Sequence, residues 1–106
     1  MLQGLEISDS SINVSLVGEL DLKTSDGLRN KLDHLLDKYP DKELVLDFKD
    51  LSFIDSSGLG LILGRYKRVS KQGRRMSIIN AHSSAKRILE LSGITALIPV
   101  SSANYG

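Results

Sequence analysis

The 106-residue chain contains no cysteine, which excludes disulfides and thiolate-bound metal and agrees with a reducing cytoplasm, the expected location. It also lacks an excess of either charge. Fourteen Lys and Arg stand against 13 Asp and Glu, leaving +1 and no general field for nucleic acid. No apolar run approaches the roughly 20 residues needed to span a bilayer, so no membrane partner is expected. The first ten residues, Met1 to Ser10, hold no base, unlike a signal or transit peptide. Linkers, repeats and low-complexity tracts are missing too. What remains is an ordinary globular balance, 41% apolar and 25% charged, at a length suited to one domain. A chain of this size buries roughly two-thirds of its unfolded surface without staples.

Strand-like and helix-like patterns alternate along the chain. Ile12, Val14 and Leu16 alternate with Asn13, Ser15 and Val17, the period of a half-buried strand. Gly4 to Ser8 is expected to pair with it through a tight turn at Asp9 and Ser10. Leu28, Leu32, Leu35, Leu36 and Tyr39 form one helical stripe, with Thr24 or Ser25 as cap and Pro40 as stop. Leu44, Val45, Leu46 and Phe48 read as a central strand covered on both faces. A second helix is expected from Ser56 to about Ser70, then a turn at Gly73 and a strand marked by Met76, Ile78 and Ile79. A third helix starts at Ser83 or Ser84 and carries Ala85, Ile88 and Leu89, with Gly93 as a left-handed cap. Leu97 to Val100 reads as a last, edge strand because of Pro99. The order β-β-α-β-α-β-α-β predicts an α/β fold: a mixed, mostly parallel sheet with an N-terminal antiparallel hairpin and about three packed helices.

The most informative stretch is Phe53-Ile54-Asp55-Ser56-Ser57-Gly58-Leu59-Gly60, at a strand-to-helix junction. Loops at the carboxyl ends of parallel strands are held rigidly and often carry function. Asp55 or Ser56 suits the N-cap, and a plain helix cap is the alternative reading of the motif. A nucleophile elbow is excluded, because Ile54 stands where glycine is required. A phosphate loop is excluded as well, since no Gly-Lys-Ser/Thr follows. His34 and His82 read as surface residues, so the serine has no evident base and no enzyme is expected.

On the second helix, Leu59, Ile62, Leu63, Tyr66 and Val69 form the expected inward stripe. Leu61 lies about 140° from its centre and is expected to point outward, either to seat against a partner or as a stray surface residue or contact with a neighbouring helix. Glu19 and Asp21, in Gly18-Glu19-Leu20-Asp21, are expected near Ser56 as turn or binding residues. The basic stretch from Arg65 to Arg75 reads as a solvated helix face.

Gly18-Glu19-Leu20-Asp21, the block Leu51 to Gly60, and Leu63-Gly64-Arg65-Tyr66-Lys67 together resemble the STAS-domain anti-sigma factor antagonists. The likeness extends over nearly the whole chain, 1-106, as a single STAS domain, and is nearest to the sporulation branch of the sigma-F pathway. It implies a cycle. The unmodified antagonist binds an anti-sigma factor that is also a serine kinase, and the sigma factor is freed. The kinase spends ATP to phosphorylate the first serine after the aspartate, here Ser56, and a metal-dependent serine phosphatase restores the binding form. The antagonist itself takes no cofactor. Partner contact is expected through Glu19, Asp21, Asp55, Ser56, Ser57, Gly58, Leu59 and Leu61, on a monomer or weak dimer. Family members usually continue into a further helix after the last strand. Here Ser101 to Gly106 is too short for one, so that helix is expected to be missing. Two other readings are a STAS module of a stress-signalling complex and a nucleotide-binding regulatory domain.

Overall fold

A computed structural model describes residues 1–103. The elements run β1 (Leu2–Ile7), β2 (Ser11–Leu20), α1 (Leu22–Lys38), β3 (Glu43–Ile54), α2 (Ser56–Lys71), β4 (Met76–Ala81), α3 (Ser83–Leu91), a 3₁₀ turn (Ile94–Ala96) and β5 (Val100–Ser102). Among the described residues the strands form one sheet in the order β1-β2-β3-β4-β5, antiparallel at β1-β2 and parallel elsewhere. Asp9 and Ser10 make the hairpin turn, closed by the Ser8 amide donating to the Ser11 carbonyl at 3.0 Å.

Each parallel step moves one strand further in the same direction. Right-handed crossovers therefore put α1, α2 and α3 on one face of the sheet. That face is closed by Ile12, Val14, Leu16, Leu44, Leu46, Phe48, Met76 and Ile78, all buried with Leu28, Leu32, Leu36, Ile62 and Leu89 from the helices. The alternate residues Asn13, Ser15, Val45, Asp47, Ser77 and Ile79 are only half-buried. The expectation that the β3 strand is covered on both faces is thus corrected. Its apolar run is interrupted by Asp47, and no helix crosses behind it among the described residues.

Three boundaries also differ from expectation. Helix α1 starts three residues early because Asp21, not Thr24 or Ser25, is its N-cap. The Asp21 carboxylate accepts from the Lys23 and Thr24 amides at 3.0 and 3.1 Å, and the Thr24 hydroxyl accepts from the Asp21 amide at 3.0 Å. Leu97 to Pro99 is not strand. The chain makes the 3₁₀ turn first, buries Ile98, leaves Leu97 exposed, and pairs only from Val100. Ser101 and Ser102, read as tail, end that strand, while Asn104 to Gly106 lie outside the described residues.

The basic stretch is only partly a solvated face. Arg65 and Arg68 reach across to α1, each 3.1 Å from the Asp33 carboxylate, and Arg68 also bonds Asp37. Arg74 donates to the carbonyls of Leu36, Tyr39 and Lys42, tying the end of α1 to the turn before β4. Lys67, Lys71 and Arg75 are exposed, as expected.

Candidate functional site

β3 pairs with β4 only from Leu44 to Asp47, but with β2 as far as Ile54. Its last residues therefore run with β2 alone, as a two-stranded parallel ribbon extending past the paired part of β4. On the outer edge of this ribbon the Lys49 carbonyl meets His82 Nε2 at 2.8 Å. Gly18, at φ +83°, permits the irregular step that puts Glu19 opposite Phe53 and Leu20 opposite Ile54. The Ser52 hydroxyl donates to the Gly18 carbonyl at 3.0 Å, and the Asp55 amide to the Leu20 carbonyl at 3.2 Å. These bonds hold the two strand ends together, which brings Glu19 and Asp21 to the Ser56 end as expected.

Helix α2 begins there. Asp55 is its N-cap, in extended conformation, and its carboxylate accepts from the Ser57 and Gly58 amides at 2.9 and 3.2 Å. Ser56 is the first helical residue and is exposed. Among the described residues no hydrogen bond engages its hydroxyl, because the neighbouring carboxylate performs the capping. Ser57 and Leu59 are half-buried.

Gly58 is buried, so a partner does not reach it; its part is to seat the helix. A Cβ there would stand 2.7 Å from Leu20 Cγ, 2.8 Å from Ile54 Cγ1 and 2.8 Å from the Leu20 carbonyl oxygen. Hydrogen at that position lets the first turn of α2 lie directly on the strand ends. This close approach also explains the correction at Leu61. The buried residues of α2 are Gly58, Leu61, Ile62 and Val69. The inward face is thus turned roughly 75° from the expected stripe, taking about 100° per residue. Leu61 is 5% exposed and belongs to the core, not to a partner surface. Leu59, Leu63 and Tyr66 move to its margin. An apolar stripe was sought among large side chains, whereas the face is centred on a glycine.

The electrostatics are those of two helix N-termini, α1 and α2, side by side at the carboxyl ends of β2 and β3. Each is answered by its own aspartate. Desolvation pushes the Asp21 carboxyl up, but hydrogen bonds from the Thr24 amide and hydroxyl and the Lys23 amide outweigh it and hold Asp21 below the ordinary aspartate value. The Ser57 and Gly58 amides, which would greet a nucleotide phosphate, are already bonded to Asp55. His34 is exposed, and His82 is the half-buried N-cap of α3; neither stands at the Ser56 junction.

The STAS domain family matches residues 5–104. The chain belongs to this family. It is 40% identical over 87 residues to the anti-sigma F factor antagonist of Paenibacillus polymyxa, a match spanning 82% of this chain and 74% of the relative. It is 32% identical over 99 residues to the anti-sigma-B factor antagonist of Bacillus subtilis strain 168, over 93% and 89% of the two chains. Its fold superposes on the anti-sigma factor antagonist SpoIIAA in its unphosphorylated form, with a TM-score of 0.81 and 26% identity over 96% of this chain and 89% of that one. The phosphorylated form of the Bacillus cell fate determinant SpoIIAA aligns with a TM-score of 0.74 and 26% identity, over 96% and 92% of the chains. Among the described residues no helix is long and apolar enough to cross a membrane.

Proposed function

We propose that this protein is an anti-sigma factor antagonist, a regulator without catalysis of its own, switched by phosphorylation of Ser56. The unmodified form binds an anti-sigma factor that is a serine kinase and so frees the sigma factor. The kinase transfers the γ-phosphoryl group of ATP to Ser56 Oγ; the hydroxyl proton leaves and ADP is released. A metal-dependent serine phosphatase hydrolyses the ester and restores the hydroxyl.

One observation carries this reading: the Ser56 hydroxyl is exposed and unbonded at a rigid strand-to-helix junction, because Asp55 caps the helix in its place. The names of the relatives support the role, and SpoIIAA exists in both phosphorylation states. A phosphate at the first position of α2 adds about −1.5 to −2 charges, at a helix end whose dipole tolerates them. The fold therefore survives modification. A partner fitted to a neutral hydroxyl instead meets bulk and charge beside Asp55, Glu19 and Asp21, and loses affinity.

The test uses the anti-sigma F factor of Paenibacillus polymyxa and the anti-sigma-B factor of Bacillus subtilis as probes. After incubation with ATP, mass spectrometry is expected to find phosphate on Ser56, abolished by Ser56→Ala. Ser56→Asp is expected to weaken probe binding while leaving the melting temperature nearly unchanged. Phosphate on Ser57, with Ser56→Ala still modified, overturns the site. Wild-type protein that binds neither probe overturns the function.

A further inference from the structure

Two of the most exposed large apolar side chains stand at the Ser56 end. Leu22 is 76% exposed and Phe53 is 49% exposed. A single exposed leucine is ordinary. The strand pairing that builds the site brings their segments to the same end: Phe53 is within it, and Leu22 follows two residues after its last pair. Phe53 lies opposite Glu19 and two residues before Asp55, and its neighbour Ile54 points into the core. Leu22 is the first residue of α1, two residues past Leu20, whose carbonyl receives the Asp55 amide. The carboxylates of Glu19, Asp21 and Asp55 alternate with them along the two strand ends, with Lys23 in the following turn.

Neither side chain serves the fold from where it sits. The core closes with Leu20 and Ile54, each 0–3% exposed, and the cap of α1 is made by Asp21 and Thr24. We propose that Leu22 and Phe53 are the apolar anchors of the Ser56 surface, and that the anti-sigma factor meets them with an apolar recess edged by basic side chains. This deepens the function proposed above and rests on it. The recess removes the two side chains from water, and the basic edge answers the charge of three carboxylates, of which Asp21 and Asp55 are otherwise held only by the first turns of their own helices. A few such anchors carry most of the energy of an interface.

Added negative charge by itself attracts a basic edge, so on this surface release comes from the bulk and hydration of the phosphate. A phosphate on Ser56 keeps its hydration shell and holds the two apolar surfaces off their recess. The carboxylates attract the partner, the anchors retain it, and the phosphate breaks the second contact without abolishing the first.

The experiment is calorimetric titration of wild type, Leu22→Ala, Phe53→Ala and the double variant with the same two anti-sigma factors. Each single change is expected to weaken binding about tenfold and the pair about a hundredfold, with melting temperatures nearly unchanged. Leu97→Ala, as exposed as Phe53 but beside the opposite end of the sheet, is expected to keep wild-type affinity. Affinity is expected to fall as salt rises, through screening of the carboxylates. Wild type that binds while the double variant binds within twofold overturns the anchors and leaves the proposed function standing. Wild type that binds neither probe removes both. Should the double variant melt early, Leu22→Gln repeats the test at an exposed first-turn position, and unchanged affinity there counts against Leu22. Affinity indifferent to salt overturns the basic edge.

Discussion

Two strand-to-helix junctions in this chain open with the same pair of serines: Asp55-Ser56-Ser57-Gly58 after β3, and His82-Ser83-Ser84-Ala85 after β4. Both follow parallel strands and both leave their first serine exposed. They differ in the residues on either side. Asp55 spends its carboxylate on the amides of its own helix, whereas His82 makes no cap bond and contacts the Lys49 carbonyl of β3. Gly58 lies against Leu20 and Ile54 with no room for a Cβ, whereas Ala85 fits its methyl into the core. A serine pair at a helix start is therefore not itself a site. The acid cap, the glycine contact and the β2-β3 ribbon distinguish Ser56 from Ser83.

Substitutions that exchange features of the two junctions test this contrast. The largest effect is expected one turn into each helix. Leu61→Ala should cost about 3 kcal/mol in chemical denaturation, as a buried leucine, and Ile88→Ala less, since Ile88 is half-buried. A loss at Leu61 under about 1 kcal/mol would return it to the surface. Gly58→Ala comes next, at about 2 kcal/mol net, because the new methyl meets the Leu20 backbone and the helix gain only partly offsets it. Ala85→Gly should cost about 1 kcal/mol in backbone entropy, with the lost burial of its methyl added to that. If Gly58→Ala stabilises the protein, the close seating of α2 is refuted. The smallest effect is in the caps. Asp55→Ala should lose about 1 kcal/mol, while His82→Ala, with no cap bond to lose, should change helix stability less; hydrogen exchange in the first turns of α2 and α3 separates the two.

The element order, the hairpin turn, the stripe of α1 and the start of α2 could all be read from local pattern. Period-two and period-3.6 spacing, with Pro40 and Gly93 as punctuation, depend on near neighbours in the chain. The misread features depended on distant ones, except the α1 cap, where Asp21 bonds amides only two and three positions on. Thr24 looks like a cap until Asp21, at the end of a longer β2 than its alternation suggests, takes the role. Leu61 looks outward until Gly58 is found against Leu20, 38 positions earlier in the chain. Arg65, Arg68 and Arg74 look like solvated charge until α1 presents Asp33, Asp37 and its last carbonyls. The signal available for Leu61 was the glycine itself, since a helix-interior glycine beside a junction costs stability unless close packing requires it.

By itself the sequence determined that strands and helices alternate, and that an aspartate and two serines open a helix after a strand. Both follow from spacing and capping chemistry within a few residues. The tertiary structure decided which faces those elements bury and where the strand ends stand in space. It set Ser56 in the open beside Glu19 and Asp21, and it turned Leu61 inward while leaving Leu22 and Phe53 in water. Such outcomes depend on parallel pairing between residues more than thirty positions apart, and no local pattern encodes that register.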